Sequence, residues 1–238
     1  MIALIDSDII AYSVGFAAKD DPLPYALHSV NKMIDGILDA VGTDEYYCFL
    51  TGKDNFRKDI ATIKEYKGNR KQDKPPHFHS IREHLTILHD AKEVSFQEAD
   101  DALGIMQTAL GDDSCICTID KDLDMIPGWH YNWKKGTKYY VNTKEAMIFF
   151  YKQLLMGDST DNIQGIPKVV EVKANRIVTT ITDSYPPFTD ELELEEELYW
   201  EVLDQYAMAY DKPMEALIEN ARLLWIRREA GEMWEPKW

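Results

Sequence analysis

The sequence predicts an α/β fold: a mainly parallel central sheet with helices on both faces, followed by a helical C-terminal region. Three observations predict it. Short apolar runs alternate with longer segments of helical periodicity, as in βαβ units. Two of those runs, 2–5 and 115–119, end in acids, Asp6 and Asp120. Beyond Gly157 the strands give way to short helical, loop-punctuated segments and then to two long amphipathic stretches.

Residues 2–5 are an apolar run stopped by Asp6-Ser7-Asp8, the signature of a buried strand with acids at its C-terminal end. Residues 25–41 place Ala26, Val30, Met33, Ile34, Ile37, Leu38 and Val41 on one helical face, and Gly42 ends that helix. Tyr46 to Leu50 reads as a second strand. Residues 57–79 are polar and basic, broken by Pro75 and Pro76, and read as loop; 80–89 read as a short helix. Ser95 to Leu110 reads as a helix whose Ser95-Phe-Gln-Glu98 start is a capping box. Cys115 to Ile119 is a third buried strand. Residues 129–133 and 138–142 form short strands around Lys135-Gly136, and helix returns at 143–155. Long helices are expected over 190–211 and 213–230, the run from Glu191 to Glu201 being a solvated face. The expected division is an α/β core over 1–156 and a helical region packed on it over 157–238.

Composition narrows the function. The chain of 238 residues carries 42 Asp+Glu against 26 Lys+Arg, a net charge of −16. Such a field repels phosphate, unless the acids are concentrated where metal ions neutralise them and the bases are gathered in a patch. No run approaches the length of a membrane span, and the start Met-Ile-Ala-Leu-Ile-Asp does not read as a signal peptide. Three cysteines, two of them in one apolar run, suggest reduced buried thiols and a cytoplasmic setting rather than a zinc site.

Acids cluster at element boundaries. Glu98, Asp100 and Asp101 open a helix, with Glu98 and Asp101 on one face. Asp120 and Asp122 follow a buried strand; Met125 and Tyr131 stand where a calcium loop of the EF-hand type needs Gly and Glu, which rejects that reading. Asp158 and Asp161 follow Gly157 at a spacing of three. Each group alone is explained by helix capping. Brought together with Asp6 they would repel strongly, and two divalent ions, Mg²⁺ or Mn²⁺, would resolve that repulsion in the manner of two-metal phosphodiester hydrolysis. A basic stretch runs against the global charge: Lys64, Lys67, Arg70, Lys71 and Lys74, with Arg57 and Lys58 just before it. Tyr66 within it offers a ring on which a base could stack.

These residues resemble the structure-specific 5′ nucleases, a family that includes bacteriophage 5′–3′ exonucleases, the 5′-nuclease domain of bacterial DNA polymerase I and flap endonucleases. The match runs through Leu4-Ile-Asp6, Phe56-Arg57, Glu65-Tyr-Lys-Gly-Asn-Arg70, Glu98-Ala-Asp-Asp101, Asp120-Lys-Asp122-Leu and Gly157-Asp-Ser-Thr-Asp-Asn-Ile-Gln-Gly-Ile166. The resemblance implies that Asp6, Glu98, Asp100, Asp101, Asp120, Asp122, Asp158 and Asp161 hold the metal ions. It implies that Lys67 and Arg70 contact the scissile phosphate, that Tyr66 stands at the gateway, and that residues from about 71 to 94 form an arch admitting the 5′ strand. The segment after Gly157 looks like a helix–three-turn–helix that grips duplex. The implied activity is a 5′–3′ exonuclease with accompanying flap endonuclease activity on DNA with a free 5′ end or flap; RNA in RNA–DNA hybrids is a further candidate substrate. A PIN-type ribonuclease and a non-catalytic nucleic-acid clamp are the alternatives, and an assay with and without EDTA separates the clamp from both enzymes.

Two departures from the family pattern stand out. The acid usual just after the second strand is missing, since Leu50 and Thr51 lie there, and Asp54 is the nearest substitute. The glycine hairpin is replaced by Pro167-Lys168-Val169-Val170-Glu171-Val172-Lys173. Val170 resists a left-handed conformation, so either the turn is expected to take another path or the first hairpin helix to run on through it; both lose the potassium site that the resemblance implies, with Lys168 and Lys173 meeting phosphate through charge instead.

Overall fold

The computed structural model describes residues 1–71, 73–185 and 190–237. It falls into two compact units that interleave along the chain: 1–55 with 72–142 and 226–231, and 56–71 with 143–225 and 232–238. The units therefore divide the chain differently from the expected 1–156 and 157–238.

The first unit holds a six-stranded sheet in the order β3-β2-β1-β4-β5-β6. Strand β1 (Ile2–Asp6) lies centrally, parallel to β2 (Tyr46–Thr51) and β4 (Ser114–Cys117). Strand β3 (Lys92–Val94) extends the parallel array beyond β2 and β5 (Gly128–Asn132) extends it beyond β4; β6 (Thr137–Val141) closes the edge antiparallel. Alternation along the strands sends Ala3, Ile5, Cys48, Leu50, Cys115 and Cys117 to one face. There they meet α1 (Ser7–Ala17), α2 (Leu23–Val41) and α4 (Phe78–Leu88). On α2 the buried set Ala26, Val30, Ile34, Ile37 and Val41 is the predicted stripe, and Gly42, left-handed at φ 79°, caps it through a 2.8 Å bond to the Leu38 carbonyl. Leu4, on the opposite face, is wholly buried, and α5 (Ala99–Leu110) packs against β1, β2 and β4. Helices thus cover both faces.

The second unit is helical: α3 (Phe56–Ile60), α6 (Thr143–Met156), α7 (Glu171–Ser184), α8 (Glu191–Ala207) and α9 (Pro213–Leu224). A short antiparallel ladder joins β7 (Gly157–Asp158) to β8 (Ile163–Gln164) between α6 and α7. The ladder requires a glycine at 157. Gly157 lies at φ 70°, its backbone so near Gly165 that a Cβ would fall 2.2 Å from that amide nitrogen. Phe150 packs against Trp225, with ring centres 5.0 Å apart. Its ring centre lies 5.7 Å from that of Trp234. Buried Tyr206 donates to the Leu154 carbonyl at 2.8 Å and accepts from Asn220 at 2.9 Å.

Several elements differ from expectation. Helix α1 was not foreseen: its buried positions include Ser7 and Gly15, small residues that blur an apolar stripe. Strand β3 was missed because Lys92 and Glu93 are exposed and charged, as suits an edge strand. Helix α5 begins at Ala99 behind Glu98, so the cap lies one turn later than the Ser95 box. Residues 157–164 are the ladder rather than helix. Of the segment expected to form an arch, 78–94 are folded onto the first unit, with Phe78, Ile81 and Leu85 in its core and β3 in its sheet. Among the described residues no helix is long and apolar enough to cross a membrane.

Candidate functional site

The chain crosses from one side of β1 to the other between β3 and β4, so the sheet's switch point lies at the C-terminal ends of β1 and β4. Asp6 is the last residue of β1 and is 2% exposed. It caps α1 by accepting from the Ile9 amide at 3.2 Å, and its other oxygen accepts from the Thr118 hydroxyl at 2.8 Å. Thr118 Oγ1 in turn accepts from the Asp120 amide at 3.0 Å, and Asp120 Oδ1 accepts from the Asp122 amide at 2.9 Å. A short hydrogen-bonded relay therefore joins the end of β1 to the turn after β4. Burial first, then the charges of Asp8 and Asp120, push the Asp6 carboxyl up to about 7 against its two hydrogen bonds. That is the mark of a buried carboxylate with like charges beside it.

Asp8, which the motif reading left out, is one of those like charges. Burial raises its pKa and the Glu98 charge adds to the effect, while bonds from Thr51 and the charge of Arg82 oppose it. Asp8 accepts from the Thr51 amide at 2.8 Å, so the acid bound at the end of β2 is Asp8 on α1 rather than Asp54. The sequence signal was present in Asp6-Ser7-Asp8, but only pairing of β1 with β2 brings Thr51 beside it.

Not every predicted ligand faces this edge. Asp101 is fully buried; one oxygen accepts the Glu98 amide at 2.9 Å and the other the Arg227 amide at 3.1 Å. Its carboxylate caps α5 and ties down the 226–231 segment, which removes it from the acids that can turn toward an ion. Glu98 is buried at the same helix start, and Asp100, Asp120 and Asp122 are partly exposed. Among the described residues no three of His, Cys, Asp or Glu are gathered closely enough to hold a metal ion between them. The oxygen-only donor set of Asp6, Glu98 and Asp120 suits a hard divalent ion in its chemistry.

In the second unit Asp161 has opposite surroundings. It accepts from Tyr66 at 2.7 Å and from Arg70 at 2.5 Å, and Lys67 Nζ lies 3.5 Å away. The Lys67 amide donates to the Asp161 carbonyl at 2.8 Å, Asn69 to the Ser159 carbonyl at 2.6 Å, and Asn162 to the Glu65 carbonyl at 2.8 Å. Two motifs far apart in sequence are thus laced together. Lys67 and Asn162 are both left-handed, at φ 57° and φ 62°. Such strain persists only where the surrounding bonds hold it. Asp158 accepts from the Thr160 amide at 2.7 Å and so caps its own turn.

The predicted nucleic-acid contacts divide. Arg57 is 2% exposed and donates to the Leu223 and Trp225 carbonyls at 2.9 and 2.7 Å; it caps α9 and is not open to phosphate, contrary to expectation. Tyr66 is also buried, its hydroxyl on Asp161 and Lys67 Nζ 4.9 Å over its ring, so no open face is left for a base to stack on. Lys71, Lys74, Lys168 and Lys173 are exposed. The hairpin keeps one left-handed residue, Lys168 at φ 65°. Val170 is extended at φ -107° and starts α7. That bears out the expectation that the valine avoids the left-handed region.

No family model matches the chain. In sequence it is similar to DNA polymerase I of Bacillus caldotenax, 30% identical over 206 residues that make up 74% of this chain and 23% of the polymerase. It thus spans about a quarter of the length of that relative. It is 28% identical over 191 residues to a 5′-3′ exonuclease of Buchnera aphidicola subsp. Schizaphis graminum, covering 71% of this chain and 66% of the relative. In fold it is similar to a bacteriophage T5 protein co-crystallised with metal ions, with TM-score 0.62, 14% identity, and 94% and 99% of the two chains covered. A complex of the T5 flap endonuclease with DNA and metal ions gives TM-score 0.62 at 16% identity, covering 92% and 98%. At those identities the structures speak for the fold, and the sequence relatives support the resemblance of this chain to the structure-specific 5′ nucleases.

Proposed function

We propose that this protein is a divalent-metal-dependent 5′–3′ exonuclease, with flap endonuclease activity, that hydrolyses DNA phosphodiester bonds by a two-metal route. The observation that carries the reading is the crowding of acids at the C-terminal edge of a parallel sheet, in which Asp6 is pushed up to about 7 by burial and by Asp8 and Asp120. Asp6, Glu98, Asp100, Asp120 and Asp122 would hold the ions, with Asp158 as a further candidate. Bound there, Mg²⁺ or Mn²⁺ would supply Lewis-acid activation of water and stabilise the leaving oxygen. Lys67 and Arg70 now bind the carboxylate of Asp161. A phosphate oxygen is the same kind of anionic acceptor, so these two cations would exchange Asp161 for the substrate and stabilise charge developing on phosphorus. Exposed Lys71, Lys74, Lys168 and Lys173 would contact the backbone elsewhere, with RNA in RNA–DNA hybrids as a second substrate. Three buried free thiols suit the cytoplasmic setting that this role implies.

The test is cleavage of 5′-labelled flap and blunt duplex DNA, with Mg²⁺ or Mn²⁺ and in excess EDTA. Products released from the 5′ side only when a divalent ion is present are expected. Full cleavage in EDTA would overturn the metal reading, and degradation from the 3′ end would overturn the polarity.

A further inference from the structure

The end of strand β2 is closed by a bridge between Asp8 and Arg82. Asp8, in the first turn of α1, accepts from the Thr51 amide through Oδ2 at 2.8 Å and from Arg82 Nη1 through Oδ1 at 2.6 Å. The same guanidinium, carried on α4, donates through Nη2 to the Thr51 carbonyl at 2.8 Å and to Glu93 Oε2 on β3 at 3.0 Å. The Thr51 hydroxyl accepts from the Ala99 amide at 2.9 Å, at the start of α5 beside Glu98. One cation therefore fixes residues on α1, β2 and β3, and through Thr51 it reaches the helix start that carries Glu98.

The pair is shielded: the side chains of Arg82 and Asp8 are 16% and 21% exposed. A hydrogen-bonded ion pair so placed keeps one geometry and is screened far less than a surface pair. Its neighbours are the acids of the edge: Asp8 stands two residues beyond Asp6, and Thr51, whose amide it holds, accepts from the Ala99 amide next to Glu98.

We propose that the Asp8–Arg82 pair sets the divalent-ion affinity of the acidic edge: Arg82 is a fixed counter-charge that neutralises Asp8 beside Asp6, Glu98 and Asp120, the acids proposed to take the ion. The inference rests on the reading that this edge takes up divalent ions. Arg82 is a positioning residue here, acting through Asp8 and the Thr51 backbone. Removing Arg82 bares a further negative charge beside the ion, and removing the Asp8 charge bares a positive one. The two changes must then move affinity in opposite directions, although both break the same bridge.

Manganese titration by calorimetry on the full chain without DNA tests this. Asp8→Asn is expected to weaken Mn²⁺ uptake and Arg82→Gln to tighten it, each on the order of tenfold. The double variant should return to within about threefold of the unmodified protein. Arg82→Lys, which keeps the charge but loses the fork, should hold near-normal affinity at reduced thermal stability. Shifts of the same sign in Asp8→Asn and Arg82→Gln, or tightening in Arg82→Lys as in Arg82→Gln, would reduce the bridge to a structural brace and overturn the inference. Mn²⁺ uptake with like-signed shifts overturns the inference alone, whereas no uptake by the unmodified protein overturns it together with the metal reading. Unfolding curves recorded for each variant separate an affinity change from loss of the fold.

Discussion

Asp6 and Asp161 look alike in the sequence, each an acid at an element boundary within a family motif, yet the two units treat them in opposite ways. In the first unit Asp6 is buried beside Asp8 and Asp120, and its carboxyl is held near neutrality. In the second, Asp161 is held by Arg70, Lys67 and Tyr66. One carboxylate has like charges beside it and the other has cations. An acidic motif is therefore not a metal ligand by virtue of its sequence; the sign of what surrounds it decides what it can take up.

The comparison can be broken most sharply by removing one acid from each unit. Asp120→Asn is expected to lower flap cleavage by about a thousandfold or more, roughly 4 kcal/mol in the transition state. DNA affinity measured in Ca²⁺ should change little. Weakened DNA binding with a preserved single-turnover rate would make Asp120 a substrate contact. Asp161→Asn should leave Mn²⁺ affinity within about twofold while lowering the melting temperature by a few degrees, as expected for losing a half-exposed charge network. A large fall in Mn²⁺ affinity in that variant would return Asp161 to the metal ligands and erase the contrast.

Titration sharpens the same contrast. The folded pKa of Asp6, about 7, lies above its ordinary value of 3.8. The folded state therefore keeps a proton that the unfolded chain releases. In EDTA, stability should fall as pH rises from about 4 to about 7 and level off beyond, and raised Asp8 adds with the same sign. Urea midpoints across that range measure it. Asp6→Asn should flatten the slope, and a slope unchanged in that variant would assign it elsewhere. The smallest effect expected is at the hairpin of the second unit. Lys168→Gly removes a left-handed strain of about 1 kcal/mol, partly offset by the greater freedom of glycine when unfolded. A gain of a few tenths of a kcal/mol in denaturant midpoint is expected. A loss would show that the Lys168 side chain contributes more than its backbone strain subtracts.

Legibility in the sequence followed the range of the interactions involved. The strands β1, β2 and β4, the helix α2 with its Gly42 cap, and the acids at strand ends were readable because apolar periodicity and capping act within a few residues. Helix α1 was not, because Ser7 and Gly15 are buried by neighbours distant in sequence. Arg57 and Tyr66 stood in a basic stretch that reads as a solvated, DNA-facing loop. Their burial is decided by Leu223, Trp225 and Asp161, all far along the chain.

By itself the sequence determined the class of fold, the family resemblance and the chemical type of the edge, because each is written in local pattern: alternation, helical period, and acids placed where strands stop. The tertiary structure alone decided which acids are available. It brought Thr51 and Arg82 to Asp8, turned Asp101 inward onto the Arg227 amide, and gave Asp161 its two cations. The physical reason is that a carboxylate's state depends on burial and on charges within a few ångströms. Those neighbours are supplied by strand pairing and helix packing between segments that the sequence holds tens of residues apart.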